Sequence, residues 1–148
     1  NMLNSLLLLR SEEETFATID LAIIDLYTGE TEFIKVGSAP SYIMRGEEIW
    51  PVHNNALPAG IIKEINIESR KELLQNGDIL IMLTDGVLEA TKQVTDMESR
   101  LVEFLQTCQD TSPDIMAQGI LNQAKLNATE RRSDDLSVLV AKLQWQII

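Results

Sequence analysis

The chain is poor in the residues that most often advertise chemistry. It has one cysteine, Cys108, and one histidine, His53, in 148 residues. A lone cysteine excludes a disulfide framework, and without a Cys and His cluster a structural zinc site has no ligands. A single histidine leaves a Ser-His-Asp triad or a facial triad without support. Basic residues are scarce too: 12 Lys and Arg stand against 23 Asp and Glu, a net charge of −11. Both nucleic acid and anionic membranes are met through Lys and Arg, so the balance excludes a basic face for either. A cation or a basic protein surface is the natural partner, although acidity of this size is also ordinary for soluble proteins. No apolar run approaches the roughly 18 residues that cross a bilayer, and the Leu-rich start has no basic flank before it. These features read as a soluble, reduced, cytoplasmic segment without membrane contact. The direct opening into helix reads as a cut into a longer protein.

What is present is enough apolar material for one core. With 45% hydrophobic residues and no repeat or internal linker, residues 1–148 read as one α/β domain built mainly on antiparallel sheet. Met2 to Arg10 reads as the last turns of a helix. "TIDLAIIDL" and "TEFIKVG" are two strands around a turn at Thr28 and Gly29, close enough to form a hairpin. "SYIMRGEEIWPV" repeats the scheme with a turn at Arg45 and Gly46. "INIES" alternates apolar and polar residues as a half-buried strand does, and Asn76 and Gly77 turn the chain into the buried strand "ILIML". After Ala90 the period becomes helical. Asp96 caps a helix carrying Met97, Leu101, Phe104, Leu105 and Cys108. Ser112, Pro113 and Asp114 start a second, with Ile115, Met116, Ile120, Leu121 and Ala124, ending near Asn127. "LSVLVAKLQW" closes the chain as a strand.

Two acidic positions carry the chemical interest. Asp85 follows the buried strand, with Gly86 letting the chain turn so that the carboxylate leaves the sheet edge. Asp134 and Asp135 precede the last strand. If the two strands are antiparallel neighbours, the end of one lies beside the start of the other and the carboxylates share one edge. Oxygen ligands without His or Cys favour a hard cation such as Mg²⁺ or Mn²⁺. The plainer reading is that Asp-Gly is a turn and Asp134 a cap or a solvated strand start.

"LQNGDILIMLTDGVLEA" with the later "SDDLSVLVAKL" resembles the C-terminal half of the bacterial PPM (PP2C-like) serine/threonine phosphatases, and within them the sporulation branch. "FATIDLAIIDLYTGETEFIKVGSAPSYIMRGEEIWPV" and "LPAGI" extend the resemblance in the same order over nearly the whole chain. The resemblance implies a two-layer antiparallel β-sandwich flanked by helices, an α+β fold, lacking here the N-terminal strands of the family. It implies a two-metal Mn²⁺ or Mg²⁺ site, with Asp85 and Asp134 as metal ligands and Gly86 and Asp135 in supporting positions. Neighbouring strand residues point to opposite faces, so one of Asp134 and Asp135 reaches the metal, and the apolar residues on both faces after them leave open which. The motif favours Asp134.

The resemblance also implies ligands on earlier strands, upstream of this segment, so the isolated chain is expected to be inactive. The expected substrate of the parent is a phosphoprotein, an anti-sigma-factor antagonist in the sporulation relatives, and likeness to those relatives implies a parent anchored in the membrane by an N-terminal region, which the sequence itself does not reveal. The alternative is a non-catalytic binding or assembly module that retains the fold. Uncovered edges and an uncovered apolar face imply a homodimer or higher oligomer. Gly37, Ser38 and Pro40 read as shaping a connection, Met44, Met82, Met97 and Met116 as core fillers, Cys108 as a buried inert thiol, and His53 as a surface residue. Trp50 reads equally as a packing residue or a partner contact. Leu3, Leu6, Leu7 and Leu9 read equally as a regulatory interface or as a helix packed on the sheet.

Overall fold

The computed structural model describes residues 2–9, 16–53, 55–65, 67, 69–89, 97–108, 111–127 and 135–145. In chain order they form α1 (Met2–Leu9), β1 (Ile19–Ile24), β2 (Glu30–Val36), β3 (Ser41–Arg45), β4 (Glu48–Val52), β5 (Ser69–Leu73), β6 (Ile79–Leu83), α2 (Asp85–Glu89), α3 (Met97–Thr107), α4 (Pro113–Asn127) and β7 (Val138–Lys142). The strands make two antiparallel sheets, ordered β1-β2-β5 and β4-β3-β6-β7. The chain divides into two compact units, Asn1–Pro40 with Val52–Leu74, and Ser41–Pro51 with Gln75–Ile148.

In the first unit the β1–β2 hairpin turns where expected. Gly29 adopts φ 78°, a conformation glycine takes without steric cost, and the Asp25 carboxylate accepts the Tyr27 amide at 2.8 Å to order the turn. The register sets Asp20 opposite Lys35 and Ala22 opposite Phe33. Phe33 and Val36 are buried, and so is Lys35, whose ammonium meets the Asp20 carboxylate at 2.6 Å. On its other side β2 pairs with β5. That strand is "SRKEL" rather than the alternating "INIES". It lies on the outside of the described sheet and is mostly exposed, so the backbone ladder to β2 selects it without an apolar face.

The first unit also corrects the expected packing of α1. Its buried residue is Asn4, while Leu3, Leu6 and Leu9 are exposed. The Asn4 side chain donates to the carbonyls of Ile62 and Lys63 at 3.0 Å each and accepts the Gly60 amide at 2.7 Å. A polar latch onto a loop, not a leucine face on the sheet, anchors the helix. Nearby, Ala17 and Ala59 exchange backbone hydrogen bonds at 2.9 and 2.8 Å. Gly37 adopts φ 64°, and a Cβ there would stand 2.4 Å from Pro58 Cγ, so the motifs "VGSAP" and "LPAGI" meet.

In the second unit β3 and β6 are the inner strands, and their side chains are buried on both faces from Ser41 to Met44 and from Ile79 to Ile81. The unbroken apolar run of "ILIML" follows from that position. Gly46 (φ 59°) and Gly77 (φ 92°) make the two turns the sequence marks. Arg45 binds both carboxylate oxygens of the buried Asp78 at 2.9 and 2.7 Å and lies 5.4 Å from the centre of the Trp50 ring, which gives Trp50 an internal packing role. Helix α4 packs beside β7, and α2, α3 and α4 touch one another. The α4 start follows the sequence pattern, with the Met116 amide donating to the Ser112 carbonyl at 3.1 Å. Met116, Ile120 and Ala124 are buried, but Ile115 is exposed. Cys108 falls just past the end of α3 and is half-buried. Asp96 and the side chain of Met97 lie outside the described residues.

Candidate functional site

The chemistry-bearing edge is built where β6 ends and β7 begins. The two strands pair antiparallel from Ile79 opposite Lys142 to Leu83 opposite Val138, so the adjacency posed as a condition by the sequence is met. Past the last pair, Thr84 extends the contact. Its amide donates to the Ser137 carbonyl at 3.0 Å, its hydroxyl accepts the Ser137 amide at 3.0 Å, and the same hydroxyl donates to the Asp135 carbonyl at 2.9 Å. One threonine therefore ties the end of β6 to the approach of β7, immediately beside Asp85.

Asp85 is exposed and opens α2, the turn of helix that follows β6. Its carboxylate accepts the Gly86 amide at 3.1 Å, and the Val87 amide donates to the Thr84 carbonyl at 3.0 Å. Gly86 lets the chain turn as expected, and it does so without a left-handed backbone. It is helical and buried, and is not among the glycines with positive φ. The chain turns by starting a helix, and a small residue suits that buried position. Asp135 is exposed just ahead of β7. Asp134 lies outside the described residues.

The donor chemistry at this edge fits a hard divalent cation, since carboxylate and hydroxyl oxygens are present and neither histidine nor cysteine is near them in sequence. Among the described residues no three His, Cys, Asp or Glu converge into a cation site. Of the candidate carboxylates, the described residues include Asp85 and Asp135, both exposed, with the Thr84 hydroxyl bonded to the Asp135 carbonyl beside Asp85.

The other acidic and nucleophilic groups have structural settings. Asp78 is committed to Arg45 and to the Gln75 amide at 2.7 Å. Burial pushes the Cys108 thiol above its ordinary pKa, away from the reactive thiolate. His53 is exposed after β4. Sequence reasoning missed Thr84, Asn4 and the Asp20–Lys35 pair. Asp20 and Lys35 stand equally far from the hairpin turn and could have been found by register, and Thr84 is the hydroxyl nearest Asp85 in sequence. Nothing in the pattern of α1 marks Asn4 as its anchor.

Comparison with known proteins follows the same lines. Residues 1–144 match the family described as Stage II sporulation protein E (SpoIIE). Stage II sporulation protein E of Priestia megaterium is 37% identical over 142 residues, which are 96% of this chain and 24% of that protein. The chain also resembles a structure of the PP2C phosphatase domain with a fragment of the regulatory domain of the cell fate determinant SpoIIE from Bacillus subtilis. The TM-score is 0.85 at 35% identity, covering 95% of this chain and 43% of that one. A manganese-presoaked structure of the B. subtilis SpoIIE phosphatase domain gives a TM-score of 0.80 at 33% identity, covering 99% and 65%. The chain therefore spans about a quarter of the length of its curated relative.

Proposed function

Since the chain belongs to the stage II sporulation protein E family, we propose that its parent protein is a metal-dependent phosphatase that removes phosphate from phosphoserine or phosphothreonine on a protein, and that this chain supplies part of the catalytic domain. The observation that carries the reading is the Thr84 tie between the ends of β6 and β7, beside Asp85. Asp85 and Asp134 are the carboxylates that would hold Mn²⁺ or Mg²⁺, with Gly86 and Asp135 supporting them. Such an ion, when bound, acidifies a water for attack on phosphorus. The chain's own contribution is positional. The β6–β7 ladder holds the end of β6 beside the start of β7, Thr84 ties that end to the Asp135 and Ser137 backbone, and α2 keeps Asp85 at the sheet edge. A pre-set arrangement loses less freedom when it binds than a loose one.

The substrate fitting this family is a phosphorylated anti-sigma-factor antagonist, and the parent acts at the cytoplasmic side of a membrane in which an N-terminal region anchors it. Among the described residues of this chain no helix is long and apolar enough to cross a membrane. The chain by itself is inactive, because two carboxylate arms hold a catalytic metal pair weakly without further anionic ligands. The exposed Leu3, Leu6 and Leu9 of α1 support self-association into a homodimer or higher oligomer.

The test is Mn²⁺-dependent release of phosphate from a phosphoprotein, measured for this chain and for a version extended upstream. Turnover by the extended protein alone is expected. Robust turnover by the short chain overturns its inactivity, and failure of the extended protein leaves the non-catalytic assembly module as the better reading. A strictly monomeric sedimentation profile at tens of micromolar overturns the oligomer.

A further inference from the structure

Thr84 ends the β6–β7 ladder irregularly. In a regular antiparallel ladder, a hydrogen-bonded pair of residues exchanges two backbone bonds. The Thr84 amide does donate to the Ser137 carbonyl at 3.0 Å, but the Ser137 amide donates to the Thr84 hydroxyl at 3.0 Å in place of its carbonyl. The Thr84 carbonyl is thereby left to accept the Val87 amide at 3.0 Å, as the carbonyl just ahead of a helix accepts that helix's first bond. The hydroxyl stands in for the carbonyl, and a strand becomes a helix within one residue. The hydroxyl's own hydrogen goes to the Asp135 carbonyl at 2.9 Å. One side chain therefore sets both the start of the helix that Asp85 opens and the backbone leading out of the acidic pair.

We propose that Thr84 is a positioning residue for the divalent cation, and that its hydroxyl, by taking the place of its carbonyl in the ladder, sets how tightly this edge holds Mn²⁺ or Mg²⁺. The inference rests on the phosphatase reading, in which Asp85 and Asp134 are the ligands and Asp135 supports them. Without the hydroxyl, the Thr84 carbonyl, turned towards α2 for Val87, has to swing back towards β7 to take the Ser137 amide. Either the ladder loses its last bond or α2 loses its first. The Asp135 carbonyl loses its donor in both cases. Asp85 is exposed, so its place depends on the backbone that carries it more than on packing around its side chain. Octahedral coordination of a small hard cation tolerates little misplacement of its ligands. Serine at 84 keeps the hydroxyl and valine keeps only the shape, so the two substitutions separate positioning from packing.

The test compares Thr84→Val, Thr84→Ser and Gly46→Ala in the upstream-extended protein, with Mn²⁺ binding followed by the electron paramagnetic resonance of the free ion. Thr84→Val should weaken Mn²⁺ roughly tenfold, as loss of a group that orients metal ligands does. Thr84→Ser should bind as wild type does. Gly46→Ala, at the β3–β4 turn, also costs stability and should leave Mn²⁺ affinity unchanged. Excess Mn²⁺ should restore the turnover of Thr84→Val on a phosphoprotein, which marks a loss of metal affinity rather than of kcat. Hydrogen exchange of the Val87 amide should be faster in Thr84→Val than in Thr84→Ser. Should Thr84→Val lose its fold, Thr84→Ala, which removes the hydroxyl and puts nothing in its place, serves instead. The proposal is overturned, with the phosphatase reading intact, if the hydroxyl-free variant binds Mn²⁺ as wild type does or if Gly46→Ala weakens binding equally. If the wild-type extended protein binds no Mn²⁺, the phosphatase reading falls and the proposal falls with it.

Discussion

Lys35 and Asp20 face each other across the β1–β2 hairpin, with Nζ 2.6 Å from Oδ2 and the lysine side chain only 2% exposed. Burial lowers the Lys35 pKa below 10.5, and the bond to Asp20 only partly offsets it. The folded protein thus binds the Lys35 proton less tightly than the unfolded chain does. Between the lowered native pKa and 10.5 the unfolded state carries more protons, so this lysine's contribution to stability rises with pH through that window and is lost as pH falls through the native value. Urea unfolding across the window should show wild type gaining on Lys35→Met as pH rises. At neutral pH Lys35→Met should cost about 2–3 kcal/mol, because it leaves a largely buried carboxylate without its ammonium, and adding Asp20→Leu should recover most of the loss.

Thr84→Val keeps the shape of the residue beside Asp85 and removes its hydroxyl. The Ser137 amide then loses an acceptor and the Asp135 carbonyl a donor, which should cost about 1–2 kcal/mol in urea unfolding. Hydrogen exchange at Ser137 should accelerate more than exchange at Val140, deeper in the ladder. Thr84→Ser should restore both values.

Two glycines with left-handed backbone separate steric from conformational cost. Gly46→Ala, in open space at φ 59°, should lose about 1 kcal/mol. Gly37→Ala carries the same conformational cost and adds a collision with Pro58 backbone and ring, so a loss of more than about 3 kcal/mol is expected. Thermal unfolding of the two variants side by side checks the difference.

Asn4→Leu makes α1 more apolar yet should loosen it. The change strips the Gly60 amide of its acceptor and two carbonyls of their donor, worth about 1–3 kcal/mol. Asn4→Asp should do little better, since it restores the acceptor but turns a carboxylate oxygen towards the carbonyls of Ile62 and Lys63. Limited proteolysis just after α1 should be faster in both variants than in wild type.

Residues with a local cause were legible in the sequence. The turns at Gly29, Gly46 and Gly77 and the Pro113 helix start each follow from a few adjacent residues. Features decided by a distant partner were not. β5 is a strand because β2 offers it a backbone ladder, and its own side chains carry no alternation to betray it. Asn4 anchors α1 because of carbonyls more than fifty residues away, while the surrounding leucines suggest the opposite arrangement. At the candidate site Asp85 was legible as an acid leaving a strand, but the helix that receives Gly86 was not, since Asp-Gly reads more readily as a turn. The pairing of β6 with β7 was legible as a possibility and needed the ladder to become a fact.

The contact between Gly37 and Pro58 gives two short signatures a shared inheritance. A side chain acquired at 37 collides with the backbone of residue 58 as well as the proline ring, so a different residue at 58 does not make room for it. Relief requires the backbone of one segment to move away from the other, although twenty residues and a hairpin separate them. For anyone assembling chimaeras within this family, "VGSAP" and "LPAGI" are one cassette, and a crossover between them imports half of a fitted pair.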